Sequence, residues 1–193
     1  MVVSDRPASP LERSCYSDAV RRPLDRDRLT TFLRALGGAA KGPGTVYLTG
    51  GATAVLHGWR SSTIDVDIKL EPEPAGVFES IARLKNELDI NVELASPDLF
   101  IPVPEDWKEH SDYIGAFGRI EVLHFDYRAQ ALAKIARGHE RDIRDVDAMI
   151  ANHLVDAPSL RSTFDLVQPR LVRYPGLDAE RFAERLVAYV DAH

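Results

Sequence analysis

The chain has 193 residues, 45% apolar and 28% charged, with a formal net charge of −6, an ordinary globular balance with length for one core or one core plus an appendage. Cys15 is the single cysteine, which excludes a disulfide framework and a cysteine metal cluster, and no run approaches the roughly 20 apolar residues of a membrane-spanning helix. The acidic surplus argues against a protein that holds nucleic acid only through its backbone, because such proteins carry a basic excess.

Residues 1–22 are polar, contain Pro7 and Pro10, and show neither periodicity nor the apolar stretch of a secretory signal. A flexible tail on a cytoplasmic protein is expected. Leu29, Phe32, Leu33 and Leu36 recur at helical spacing and predict a helix over 25–40, closed by Gly37 and Gly38. A short buried strand over 45–49 leads into the Gly50-Gly51 turn and a short helix over 52–57, ended by Gly58. Ile64, Val66, Ile68 and Leu70 alternate with Asp65, Asp67 and Lys69, the pattern of a strand with its apolar set inward. A helix over 76–88, a strand over 90–94, the proline-rich loop "SPDLFIPVPEDW" and a strand over 119–125 follow. A helical stretch over 127–154 comes next, continuous or broken near Gly138, and the chain from 158 onward is helical with interruptions at Pro169 and Pro175. The mixture predicts an α/β fold with a mixed sheet over 23–155 and a helical C-terminal extension over 156–193.

The chemistry concentrates in "YLTGGATAVLHGWRSSTIDVDIKL". Side chains two apart on a strand share a face, so Asp65 and Asp67 stand side by side and repel unless a cation separates them. Oxygen donors of this kind suit Mg²⁺ or Mn²⁺ beside phosphate oxygens, the minimum for metal-assisted phosphoryl or nucleotidyl transfer. Gly50 and Gly51 open a helix, where unpaired amides and a partial positive charge favour phosphate. Asp65 lies fourteen residues after Gly51, an interval that fits a short helix and a returning strand. Between them Arg60 can fork onto phosphate oxygens, and Ser61, Ser62 and Thr63 can donate hydroxyls. Each piece alone also suits a structural role: a solvated strand face, or a tight turn with no ligand.

The order of glycine turn, short helix and Asp-x-Asp strand resembles the polymerase-β-type nucleotidyltransferase superfamily. The form "GGATAVLHGWRSSTIDVDI" resembles bacterial nucleotidyltransferase-like proteins that include toxins of toxin–antitoxin and abortive-infection systems. The resemblance implies a nucleotidyltransferase fold, with Asp65 and Asp67 holding metal and Gly50 and Gly51, with a neighbouring hydroxyl, holding nucleotide phosphates. It extends more weakly to "ALAKIARGHERDIRDVDAM". There it implies that Lys134 contacts the phosphates and that Asp142 or Asp145 supports the base, the lysine or a polar network. On one continuous helix Lys134, Arg141 and Asp145 would stack on one side; a solvated face of ion pairs explains the same residues. Many members of the superfamily carry a third metal-binding carboxylate on a neighbouring strand, for which Glu93 is the candidate, ahead of Glu121 and Asp126.

The implied reaction transfers a nucleoside monophosphate from a nucleoside triphosphate to a hydroxyl, on a tRNA 3′ end or a protein, with a cognate antitoxin as a further partner and no membrane. A small-molecule nucleotidyltransferase of antibiotic-modifying type, a nucleotide-sugar glycosyltransferase and a non-catalytic nucleotide-binding module are the alternatives. The six histidines lack H-x-x-x-H spacing, so no zinc site is expected. Tyr47 and Trp59 flank the glycine turn as base-stacking or core residues.

Overall fold

Helix α1 (Arg26–Ala39) starts where the Asp25 carboxylate accepts the Arg28 amide, and it buries Leu29, Phe32, Leu33 and Leu36. It opens the folded part of the computed structural model, which describes residues 21–193. Residues 1–20, nearly all of the expected tail, lie outside the described residues. Strand β1 (Gly44–Thr49) runs directly into helix α2 (Gly50–His57), which begins on Gly50 at φ 60° and stops at Gly58 at φ 89°. Both positions use the left-handed region that glycine enters without strain. Strand β2 (Asp65–Leu70), helix α3 (Val77–Glu87) and the short strand β3 (Asn91–Glu93) follow. Then come the hairpin of β4 (Asp112–Phe117) and β5 (Ile120–His124), and helices α4 (Tyr127–Arg137), α5 (Glu140–Ala151), α6 (Ala157–Val167) and α7 (Ala179–Asp191).

The sheet has the order β3-β2-β1-β5-β4 and is mixed. β1 pairs antiparallel with β2 and parallel with β5, while β2 pairs parallel with β3. One face packs on α1 and α3 through Val46, Leu48, Val66, Ile68 and Val122, all fully buried. Burying Val66 and Ile68 contributes roughly 1.5–3 kcal/mol each. A one-residue slip would exchange them with Asp65 and Asp67, so these apolar side chains fix which face the aspartates use. A second apolar cluster joins α4, α5, α6 and α7 around Leu132, Ile135, Val146, Leu160 and Phe182. The α/β architecture with a helical C-terminal part is the one the sequence predicts. Among the described residues no helix is long and apolar enough to cross a membrane.

Three local expectations differ from the structure, and one open alternative is decided. Of the two readings of 127–154 the broken one holds: Gly138 closes α4 at φ 68° and α5 begins at Glu140. Lys134, Arg141 and Asp145 therefore do not share one helical face. β4 has no counterpart in the predicted elements. It is a sheet-edge strand with a register shift between Tyr113 and Gly115 and mostly exposed side chains, so it carries no clean apolar alternation. Ile64 precedes β2 and is exposed rather than buried. Gly37 does not end α1; a Cβ there would strike the Phe117 carbonyl, so it lets β4 lie against the helix.

Candidate active site

The parallel pairing of β2 with β3 places Asp65 beside Asn91 and Asp67 beside Glu93. Paired residues on neighbouring strands share a face, so four polar side chains project together from the side opposite Val66 and Ile68. Asn91 ties the group: its Nδ2 donates to Asp65 Oδ1 at 2.7 Å and to Glu93 Oε1 at 2.9 Å. Asp65, Asp67 and Glu93 line a cavity of about 260 Å³ with Gly50, Gln130, Lys134 and Arg137. The Asp67 carboxyl is pushed up to about 6, first by burial and then by the Glu93 and Asp65 charges; Arg137 and Lys134 pull the other way without prevailing. This centre has a surplus of negative charge that its own protein cations do not cancel.

The glycine turn serves this carboxylate directly. A Cβ on Gly50 would stand 2.6 Å from Asp67 Oδ2, so only glycine combines the left-handed φ with room for the aspartate. The Gly50 amide donates to Gln130 Oε1 at 3.0 Å, and Gln130 Nε2 donates to the Phe125 carbonyl at 2.7 Å. That amide is thus committed to the protein. The other first-turn amides of α2 lack intrahelical acceptors and form the cradle an anion could use. Gly51 admits the Thr63 side chain, which a Cβ would displace. Thr63 Oγ1 donates to the Asp65 carbonyl at 3.0 Å; its hydroxyl anchors the start of β2.

Across from the carboxylates, α4 and α5 fold back on each other at Gly138 and build a network of paired charges. Lys134 Nζ donates to Asp145 Oδ2 at 2.5 Å and to Asp142 Oδ1 at 3.3 Å. Arg60 makes a two-pronged contact with Asp145, at 2.8 and 2.5 Å, and Trp59 Nε1 adds a third donor at 3.2 Å. Arg137 grips Asp142 with two bonds of 2.9 Å. Burial pushes the Asp142 carboxyl up, yet Arg137 and then Lys134 override it and hold it below the usual carboxylate range. Both aspartates of the "RDIRD" string reach Lys134, and Asp145 also orients Arg60. Arg60, Lys134, Arg137 and Arg141 line a second cavity of about 290 Å³ together with Gly50, Gly51, Asp65 and Asp67. The aspartate pair thus lies between two connected recesses.

The structure brings all ten of the sequence-derived site residues to these two recesses or to their supporting network. It also brings in Asn91, Gln130 and Arg137, which were not assigned site roles from the sequence, and it sets Trp59, expected as a base-stacking or core residue, against Asp145. Gln130, Lys134 and Arg137 follow i, i+4, i+7 spacing and so share one face of α4, a signal readable from the lysine alone. Tyr47 sits in the core against Trp107 at 4.8 Å between ring centroids, and Trp59 stacks on His57.

Asp65, Asp67 and Glu93 offer an all-oxygen donor set on adjacent strands with uncancelled charge, which fits a hard divalent ion such as Mg²⁺ or Mn²⁺. A tighter constellation lies elsewhere: Asp106, His110 and Asp126 have ligand atoms within 4.8 Å of one another. The fold assembles this group from residues whose sequence spacing hides it. There, however, the Arg128 guanidinium lies 2.6 Å from Asp126 and 3.1 Å from Asp106. A cation would have to displace it, so the uncompensated centre on β2 and β3 is the better metal site.

A family model described as a nucleotidyltransferase of unknown function (DUF6036) matches residues 28–191. No curated protein and no solved structure matches the chain.

Proposed function

The chain belongs to this family of nucleotidyltransferases, and we propose that it moves a nucleoside monophosphate from a nucleoside triphosphate to a hydroxyl on a tRNA 3′ end or a protein. Such an activity, exercised in the cytoplasm, would suit the toxin of a toxin–antitoxin pair. One observation carries the reading: Asp65, Asp67 and Glu93 converge on a cavity whose other wall is the α2 N-terminus and Lys134. Asp65, Asp67 and Glu93 would hold Mg²⁺ or Mn²⁺, which when bound neutralises them and stabilises charge on the phosphate oxygens.

The chain's own residues divide the remaining work. The first turn of α2 receives the outer phosphates. Arg60 and Lys134, fixed by Asp145, retain unused N–H donors for the same oxygens, since a guanidinium has five and an ammonium three. Fixing them in advance lowers the entropy lost when substrate binds. The acceptor oxygen forms a bond to the α-phosphorus, the bond to the bridging oxygen breaks, and pyrophosphate leaves against Arg60, Lys134 and Arg141. The acceptor proton passes to Asp65 or Asp67.

Incubation with each α-labelled nucleoside triphosphate, Mg²⁺ and total RNA tests the reading. Asp67→Ala should reduce label transfer about a thousandfold, the scale of removing a group that stabilises transition-state charge. Its circular dichroism should match wild type. Transfer at the wild-type rate by a folded Asp67→Ala protein would end the proposal.

A further inference from the structure

The proline-rich loop and the C-terminal helices enclose a cleft of about 680 Å³ that the nucleotide site does not use. Phe100, Ala133 and Arg137 line both this cleft and the carboxylate cavity, so the two open into each other. Its walls are largely apolar, and Phe100 is 53% exposed there. Tyr174 presents a second ring, held by its hydroxyl donating to the Asp98 carbonyl at 3.0 Å. The charge is one-sided: Arg173, Arg181 and Arg185 face a single acid, Asp178, whose carboxylate already caps α7 through the Arg181 amide, while Arg137, also on the wall, is paired with Asp142. Arg185 is spent on the Ala136 and Arg137 carbonyls at the end of α4, while Arg173, Arg181 and Arg185 form no ion pair with any described residue. Such a concentration of cations on a chain of net charge −6 is a local feature, not a general surface property.

We infer that this cleft seats the 3′-terminal nucleotides of a single-stranded RNA as the acceptor. The inference rests on the nucleotidyl-transfer reading above. In-line displacement places the attacking and leaving oxygens on opposite sides of the phosphorus. Pyrophosphate departing toward Arg60 and Arg141 puts the attacking hydroxyl on the Glu93 and Phe100 side, which opens into the cleft. An exposed ring, Phe100, and a half-buried one, Tyr174, beside arginines are the equipment for stacking unpaired bases and tracking their phosphates. A protein acceptor has no comparable need for two uncommitted guanidiniums, Arg173 and Arg181, beside two rings. The 3′ hydroxyl gains a bond to the α-phosphorus, the triphosphate loses pyrophosphate, and no oxidant or further reactant enters.

The test uses the full chain and two titrations. Fluorescence anisotropy of a short fluorescein-labelled single-stranded RNA, without nucleotide, should show binding that weakens steeply with salt. The Arg173→Ala/Arg181→Ala double variant should bind it about tenfold more weakly with a flatter salt dependence, and Phe100→Ala several-fold more weakly. Calorimetric titration with each Mg²⁺–nucleoside triphosphate should give similar affinities for the Arg173→Ala/Arg181→Ala variant and wild type. Unchanged RNA affinity in the variants, or no RNA binding by wild type, overturns the assignment. Nucleotide affinity that falls in step with RNA affinity gives the cleft to the nucleoside and also overturns it. Tighter binding of DNA than RNA of the same sequence does so as well. Failure of wild type to bind any nucleoside triphosphate removes the underlying reading, and it appears in the second titration independently of the first.

Discussion

Two clusters of charge face each other across the candidate site, and they are built on opposite principles. On β2 and β3, Asp65, Asp67 and Glu93 crowd together with one neutral amide, Asn91, between them. On the α4–α5 turn, Asp142 and Asp145 are matched by Lys134, Arg137 and Arg60. Burial and then the Glu93 and Asp65 charges raise the Asp67 carboxyl of the first cluster to about 6, whereas in the second Arg137 and Lys134 overcome burial and hold Asp142 below its ordinary range. An unbalanced cluster in a cleft marks a candidate ligand site. The paired cluster holds its own cations in place, and the unbalanced one has charge left for a cation to neutralise.

The largest effect on stability comes from unbalancing the paired side. Asp145 is nearly fully buried and is the shared acceptor of Lys134, Arg60 and Trp59. Asp145→Ala leaves the Arg60 guanidinium without its carboxylate and the buried Lys134 ammonium with only Asp142 at 3.3 Å, which costs about 3–5 kcal/mol. Urea unfolding should show a lower midpoint with the same slope. Asp145→Asn keeps the shape and two acceptor lone pairs but not the charge, and should lie between the two. A loss no larger than that of a surface aspartate would show that the network is not what holds α4 to α5.

How much of this contrast could be read from the chain depended on sequence distance. Asp65 and Asp67 are two apart on one strand, and the apolar residues between and around them fix their face. Their shared placement beside Gly50 was therefore legible. The balanced cluster was legible in residue types and not in geometry. Lys134 and Asp145 meet because Gly138 turns the chain back, and a single glycine in a helical pattern does not say whether a helix bends, continues or ends. Asn91 lay two residues before Glu93 in plain view, but its double donation depends on the β2–β3 register, which no local pattern encodes. β4 escaped for a related reason: an edge strand needs no continuous apolar face. Asp106, His110 and Asp126 come together only in the folded chain.

The unbalanced side gives a smaller effect with the opposite sign. Asp67 binds its proton more tightly folded, at about 6, than at its ordinary 3.8. Between these values the folded state carries more protons than the unfolded one, so without metal this group's contribution to stability falls as pH rises through that window. Buried His124, pushed down to about 3 chiefly by burial, acts against this slope: the unfolded chain takes up its proton from about 6.5 downward, so stability is lost as pH falls. Wild type alone thus shows a blunted profile, and the difference between Asp67→Asn and wild type isolates Asp67. In EDTA the two should be nearly equal at pH 4. Above pH 6 the variant should be more stable, by on the order of 2 kcal/mol after solvent screening. Mg²⁺ should then stabilise wild type and not the variant. A variant that is no more stable at pH 7 in EDTA would show that the carboxylates are not in conflict.

The finest test concerns the one neutral member of the acidic cluster. Asn91 donates to Asp65 and Glu93 at once, so it fixes one oxygen of each and leaves the other free. A side chain that orients ligands in this way typically changes metal affinity about 10–100-fold when removed. Asn91→Ala should therefore raise the Mg²⁺ concentration needed for half-maximal thermal stabilisation about tenfold, with little change in melting temperature in EDTA. Asn91 acts through Glu93 as well as Asp65, so Asn91→Ala combined with Glu93→Ala should lose less than the sum of the two single effects. Full additivity would mean that the amide and Glu93 serve the ion independently. Asn91→Asp separates orientation from charge. It removes both donated hydrogen bonds and adds a fourth acid, so it should lower melting temperature in EDTA at pH 7 and recover it in Mg²⁺, whereas Asn91→Ala should not show that recovery.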